Sequence, residues 1–166
     1  MKKSIVFSTL VLGCVISTDA AFAQATANQS VNLTVNTVYK IATSGNPSPL
    51  TVTTGTAGTD ALSSVTDNST SYSLTQNFGN TVKITANLDA ALAAGYTLTL
   101  NLASSKGTSA GTINISNATS GSALNAVTGI NKGADAGQAI IYTFSALASA
   151  GTLTSTSKTV TLTLTN

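Results

Sequence analysis

The chain predicts an all-β fold: an Ig-like, Greek-key antiparallel β-sandwich of about eight to nine short strands, with at most one helical turn. Three observations carry that expectation. The last residues alternate strictly, with Val160, Leu162 and Leu164 on one face and Thr159, Thr161, Thr163 and Thr165 on the other, the period of a half-buried strand. Similar in-phase runs recur along the chain, separated by turns rich in Gly, Ser, Asn and Thr. No stretch carries the period of an amphipathic helix, and no fixed-length repeat of the β-helix kind is present.

The first segment reads as an address. Lys2 and Lys3 precede the apolar run Ile5 to Ile16, and Ala21-Phe22-Ala23 forms a small-x-small cleavage site before Gln24, so residues 1–23 are expected to be a secretory signal peptide. The apolar run is too short for a membrane span. Val11-Leu12-Gly13-Cys14 offers a competing lipoprotein box, but Leu before the glycine fits that motif poorly and an ordinary site follows. Residues 24–166 are then expected to be one β-sandwich domain, exported to the periplasm, cell surface or extracellular space. A chain of about 150 residues can bury one sizeable core. Beyond Cys14 there is no cysteine, so packing and sheet hydrogen bonds must supply the stability that disulfides often give exported domains.

In chain order, Ser30 to Ala42 is expected as the first strand, with Val31, Leu33, Val35, Tyr39 and Ile41 on one face and Asn32, Thr34, Asn36 and Lys40 mostly on the other. Ser44 to Pro49 breaks it, because proline removes a ladder donor. Leu50 to Thr54 is a short strand, and Gly55 to Asn68 a loop with a weak strand at Leu62 to Val65. Ser71 to Phe78 and Thr81 to Leu88 flank Gly79-Asn80 and form the clearest expected hairpin. Asp89 to Gly95 is the expected helical turn, capped by Asp89 and stopped by Gly95. Strands follow at Tyr96 to Leu102, Thr112 to Ser116 and Leu124 to Ile130. A turn at Gly133 to Gly137 leads to Ala139 to Ala146, and Ala148 to Gly151 is a corner before the last strand. The predicted core is Val31, Leu33, Val35, Tyr72, Leu74, Val82, Ile84, Leu98, Leu100, Ile140, Tyr142, Phe144, Val160, Leu162 and Leu164.

Composition excludes several function classes. After residue 23 the charges are Lys40, Lys83, Lys106, Lys132, Lys158, Asp60, Asp67, Asp89 and Asp135, with no arginine, so no cluster can neutralise phosphates and no nucleic-acid partner is expected. Apolar residues make up 42% of the chain and fall in phase, which argues against disorder. An outer-membrane barrel needs aromatic girdles, whereas Tyr39, Tyr72, Phe78, Tyr96, Tyr142 and Phe144 are the only aromatics after residue 23. The segment after residue 23 is expected to hold no transmembrane span.

No catalytic, cofactor-binding or metal-binding residue is expected, and neither an enzyme activity nor a cofactor. Histidine and glutamate are absent, and a serine nucleophile would need Lys or Asp as its base. Ser105-Lys106 and Ser157-Lys158 are adjacent residues, which on a strand would face opposite ways, and both sites read as solvated turns. The four aspartates all neighbour turn residues, where Asp caps or turns the backbone. Asp67-Asn68-Ser69 lacks the glycine and terminal acid of a calcium loop. Asn28, Asn32, Asn68, Asn114 and Asn117 open glycosylation triplets that so Asn- and Thr-rich a chain produces by composition. The threonine faces fit an exposed sheet better than an ice-ordering array, which needs rows in register over many strands.

The runs Val31 to Val35, Leu88 to Leu98, and Gly129-Ile130 with Ile140 to Ala146, Ala150-Gly151 and Thr159 to Thr165 are similar in style to uncharacterised secreted bacterial proteins of the spore-coat-U and pilin-like β-sandwich type. The cysteines that many chaperone-assembled pilins carry are absent here. The resemblance implies a structural, fimbrial or coat-like subunit that adheres or assembles at the cell surface, and it transfers no functional residue. Sheet edges invite pairing with another chain unless guarded, so the expected partner is the protein itself, through strand exchange involving Gln24 to Val38 and the sheet edges. The alternative expectation is a monomeric extracellular adhesin or carbohydrate-binding module.

Overall fold

A computed structural model describes residues 25–166, so the expected leader, its cleavage site, Cys14 and Gln24 lie outside the described residues. The chain divides into two units, Met1–Thr34 and Val35–Asn166. Within the first, residues 25–34 are exposed and belong to no strand. The second is all-β and holds nine strands: β1 Tyr39–Thr43, β2 Val65–Gln76, β3 Val82–Leu88, β4 Tyr96–Leu102, β5 Thr108–Ser109, β6 Ile113–Asn114, β7 Leu124–Ile130, β8 Gly133–Ala146 and β9 Val160–Thr165. All pairings are antiparallel, in a five-stranded sheet ordered β1-β2-β8-β4-β6 and a four-stranded sheet ordered β5-β7-β3-β9.

Alternation decides which face of each strand meets the other sheet. In β3, Val82, Ile84, Ala86 and Leu88 are buried while Lys83, Thr85 and Asn87 are not. β4 does the same with Tyr96, Leu98, Leu100 and Leu102. These faces join Tyr72, Leu74, Val127, Ile130, Ile140 and Tyr142 in one core drawn from both sheets, which makes the unit a sandwich. Burying each large apolar side chain contributes about 1.5–3 kcal/mol, so the central strands carry most of the stability. Phe144, Val160, Leu162 and Leu164 pack on this core half-buried.

Several expectations need correction. The first strand is β1, five residues instead of the run from Ser30, and Val31, Leu33 and Val35 are not core: they are 74%, 87% and 86% exposed. The sandwich unit accordingly begins at Val35, inside the expected first strand, and not at Gln24. Leu50 to Thr54 forms no strand, although Leu50 packs against the core. β2 starts at Val65, six residues earlier than the expected run.

The runs flanking Gly79-Asn80 are not a hairpin. β2 pairs with β1 and β8 in one sheet, β3 with β7 and β9 in the other, so the chain between them crosses the sandwich. The apolar faces of β2 and β3 therefore meet through the core rather than lying edge to edge. Side chains hold the crossing: Gln76 Oε1 accepts from the Phe78 amide at 2.7 Å, and Asn77 Nδ2 donates to the Asn36 carbonyl at 2.9 Å.

Asp89 to Gly95 makes no helical turn. Asp89 Oδ1 accepts the Ala90 amide at 2.9 Å, while Leu92 bonds the Ser116 carbonyl and packs on the core, which uses the segment as a lid between strands. Gly95 has φ +85°, and a Cβ there would lie 2.5 Å from that of Ala150. Gly133 to Gly137 is likewise no turn but the start of the 14-residue β8. Both its glycines have positive φ (Gly133 +125°, Gly137 +64°), and Gly137 sits where the β2–β8 register shifts, bending the strand without ending it. The corner at Ala148 to Gly151 is a short 3-10 turn, Ala148–Ala150, closed by Gly151 at φ +82°.

Candidate functional site

Polar chemistry in this chain is spent on holding loops. Asp135, at the start of β8, is 2% exposed and accepts four hydrogen bonds from the β4–β5 connection: Ser104 hydroxyl at 3.0 Å, Ser105 amide at 2.9 Å, Ser105 hydroxyl at 2.7 Å and Lys106 amide at 3.3 Å. Burial pushes its carboxyl upward, but these donors outweigh burial and hold it below the ordinary value. β4 and β5 lie in different sheets. Asp135 therefore fastens the crossover between them in a unit with no cysteine.

Asp67 repeats the device. It accepts the Ser69 amide at 3.1 Å, the Ser69 hydroxyl on both oxygens at 2.9 Å and the Ser48 amide at 3.3 Å, pinning the proline-bounded segment to β2. Desolvation raises this carboxyl and the same hydrogen bonds lower it further, for a net downward shift. Asp60 accepts the amide and hydroxyl of Ser149, both at 2.7 Å, joining loops 89 positions apart. Asp67 and Asp135 thus sit among donors that favour the carboxylate form.

The serine–lysine pairs are not brought together as catalytic dyads. Lys158 Nζ donates to the Ala91 carbonyl at 3.5 Å, and Ser105 Oγ is committed to Asp135. Among the described residues no three His, Cys, Asp or Glu side chains gather to hold a metal ion. A cleft of about 320 Å³ between Leu92 to Thr97 and Asn114 to Asn117 is lined by neutral residues. Tyr72, Tyr96 and Tyr142 are buried, and Tyr39, exposed, has its ring 5.3 Å from that of Phe78, so among the described residues the one surface tyrosine packs on another ring.

What remains is unpaired backbone. Residues 25–36 make no ladder, and their apolar members Val31, Leu33 and Val35 face water, an arrangement that costs burial energy unless something covers them. At its sandwich end this stretch is fixed: Asn77 Oδ1 accepts the Val38 amide at 2.6 Å while Asn77 Nδ2 holds the Asn36 carbonyl. Alternation made the segment visible in the sequence, but nothing there marked it as lacking a sheet.

The sandwich has four edges, and they are guarded unequally. β5 and β6 are two residues long, a length that offers almost no template. β1 carries Lys40, the second of its five residues. β9 runs six residues, Val160–Thr165, with no charge, proline or bulge in its pairing to β3. Among the described residues no helix is long and apolar enough to cross a membrane.

Compared with protein-family models, curated proteins and solved structures, the chain finds no match.

Proposed function

We propose that this protein is an exported structural subunit of the cell surface or its surroundings, assembling by β-strand addition with the segment Gln24 to Val38 as donor. One observation carries the reading: an uncharged segment alternates Val31, Leu33 and Val35 with polar residues, yet all three apolar side chains stand exposed and the backbone of residues 25–35 is in no ladder. A strand seeking a sheet has this pattern, since main-chain hydrogen bonds supply affinity and alternate side chains fill pockets. The donor is terminal once the expected leader is removed, so it can leave without dragging a loop. A monomeric binding module is the weaker reading, because the described aromatics are buried or packed against another ring, Tyr39 alone reaching the surface among the tyrosines.

The test is the size of the chain beginning at Gln24. Multimers or filaments by light scattering and electron microscopy are expected, and deletion of Gln24 to Val38 should reduce them to monomer. A peptide of that segment should then stabilise the truncated protein. A full-length protein that stays monomeric at high concentration overturns the proposal.

A further inference from the structure

We infer that the surface receiving the donor is the free edge of β9 in a second copy of this chain, with Val31, Leu33 and Val35 pairing antiparallel against Leu164, Leu162 and Val160. The inference rests on the strand-addition reading and deepens it by naming the acceptor.

Elimination among the edges comes first. β5 and β6 are too short to template a ladder, and Lys40 would place a charge beside an incoming apolar strand at β1. β9 matches the donor in kind: six residues, alternating aliphatic and Thr, without charge. One side of β9 is bonded to β3 from Val160 to Thr165, and its other side has no partner strand among the described residues. Each unpaired N–H and C=O of that edge can be satisfied by another extended backbone.

The packing beneath that edge points the same way. Val160, Leu162 and Leu164 turn toward the core but stay half-buried, unlike Ile84 and Ala86 beside them, which are fully buried. β1, in contact with β9 across the two sheets, shows the same incompleteness, with Ile41 half-buried. The sandwich is therefore open along the β1–β9 seam. One more strand carrying three aliphatic side chains on its inner face would close it.

Direction separates a second copy from self-closure. Tyr39 pairs with Gln76 and Thr165 with Lys83, on either side of the short Asn77–Thr81 crossing, so β1 begins at the end of the sandwich where β9 finishes. Asn77 pins Asn36 and Val38 at that end. A segment folding back along β9 of its own sandwich would have to run parallel to it. Antiparallel pairing, the better ladder per residue, requires a donor from another molecule. Joining unlike surfaces of successive copies builds a chain of subunits, open unless the rotation between copies closes it into a ring.

Single cysteines test this directly, because the chain from Gln24 onward contains none. Asn32, Thr161 and Thr163 lie on the outward polar faces and are exposed, so substitution there leaves the core intact. Directly opposite antiparallel residues have Cα atoms about 4.5–5.5 Å apart, within disulfide reach. Mixing Asn32→Cys protein with Thr163→Cys protein under mild oxidation should give linked heterodimers at least about 5-fold above mixtures of Asn32→Cys with Thr161→Cys, Thr108→Cys on β5 or Ala42→Cys on β1. Dominant linkage to Thr161 would mean parallel pairing, and linkage to Thr108 or Ala42 a different edge; either overturns the inference. If the double variant Asn32→Cys/Thr163→Cys closes only within one chain, the second copy is overturned. Size measurement of the unsubstituted protein separates the two failures. Multimers with linkage elsewhere reject β9 alone, whereas a strict monomer rejects strand addition itself.

Discussion

Replacing Asp135 tests whether a buried carboxylate substitutes for a covalent staple. Asp135→Ala removes the acceptor for two backbone amides and two hydroxyls of the β4–β5 crossover. The hydroxyls of Ser104 and Ser105 can rotate to new partners. The Lys106 amide keeps a second acceptor, Ser104 Oγ at 3.3 Å, whereas the part-buried Ser105 amide loses its acceptor, at a cost of about 1–3 kcal/mol. With the charge-assisted hydroxyl bonds lost as well, and incomplete additivity among them, the expected loss is about 2–4 kcal/mol. Asp135→Asn preserves the shape: its oxygen can keep the amides while its NH2 donates to the Ser105 hydroxyl, which turns to accept. That variant loses charge assistance alone, about 1 kcal/mol. At about 3–5 °C per kcal/mol for a domain of this size, the alanine variant should melt roughly 6–20 °C lower and the asparagine variant within roughly 5 °C of the parent. Urea titration followed by circular dichroism measures both. If asparagine proves as damaging as alanine, or alanine costs less than about 1 kcal/mol, Asp135 is not the fastener described.

Acid should weaken the fold through the same groups: Asp67 and Asp135 both titrate below their ordinary 3.8 when folded, so their contribution is complete above the unfolded value and disappears as pH falls through the lowered ones. Stability from urea midpoints should be flat above about pH 5 and drop below about pH 4, less steeply in Asp135→Asn. Leu100→Ala, at a fully buried position, should cost about 2–5 kcal/mol, whereas Thr99→Ala and Leu33→Ala should each stay near about 0.5 kcal/mol or below in the monomer. Equal losses at Leu33 and Leu100 in thermal melts would show that Leu33 is packed after all. Gly95→Ala combines a left-handed φ with a 2.5 Å approach to Ala150 and should destabilise by about 1–3 kcal/mol, read from the same melts.

Period-two alternation located β4 at Tyr96–Leu102 to the residue and β9 to within two residues. It also chose the inward faces of these two strands, because a side chain's face follows from its parity alone. The scarcity of reactive side chains was equally plain in composition, but not that Asp60, Asp67 and Asp135 each gather serine donors from distant loops. Such clusters depend on which loops meet, which no local pattern encodes. Parity does not name a strand's neighbour either. β2 and β3 read as a hairpin because both alternate around Gly79-Asn80, yet they belong to different sheets. Nor does parity tell an alternating run that has a sheet from one that lacks it: Val31-Asn-Leu-Thr-Val35 and Val160-Thr-Leu-Thr-Leu164 look alike in sequence. One is exposed and the other lies on the core. Alternation is a property of one chain segment, whereas pairing and burial are decided by the surface available to meet it, and only the tertiary structure supplies that surface.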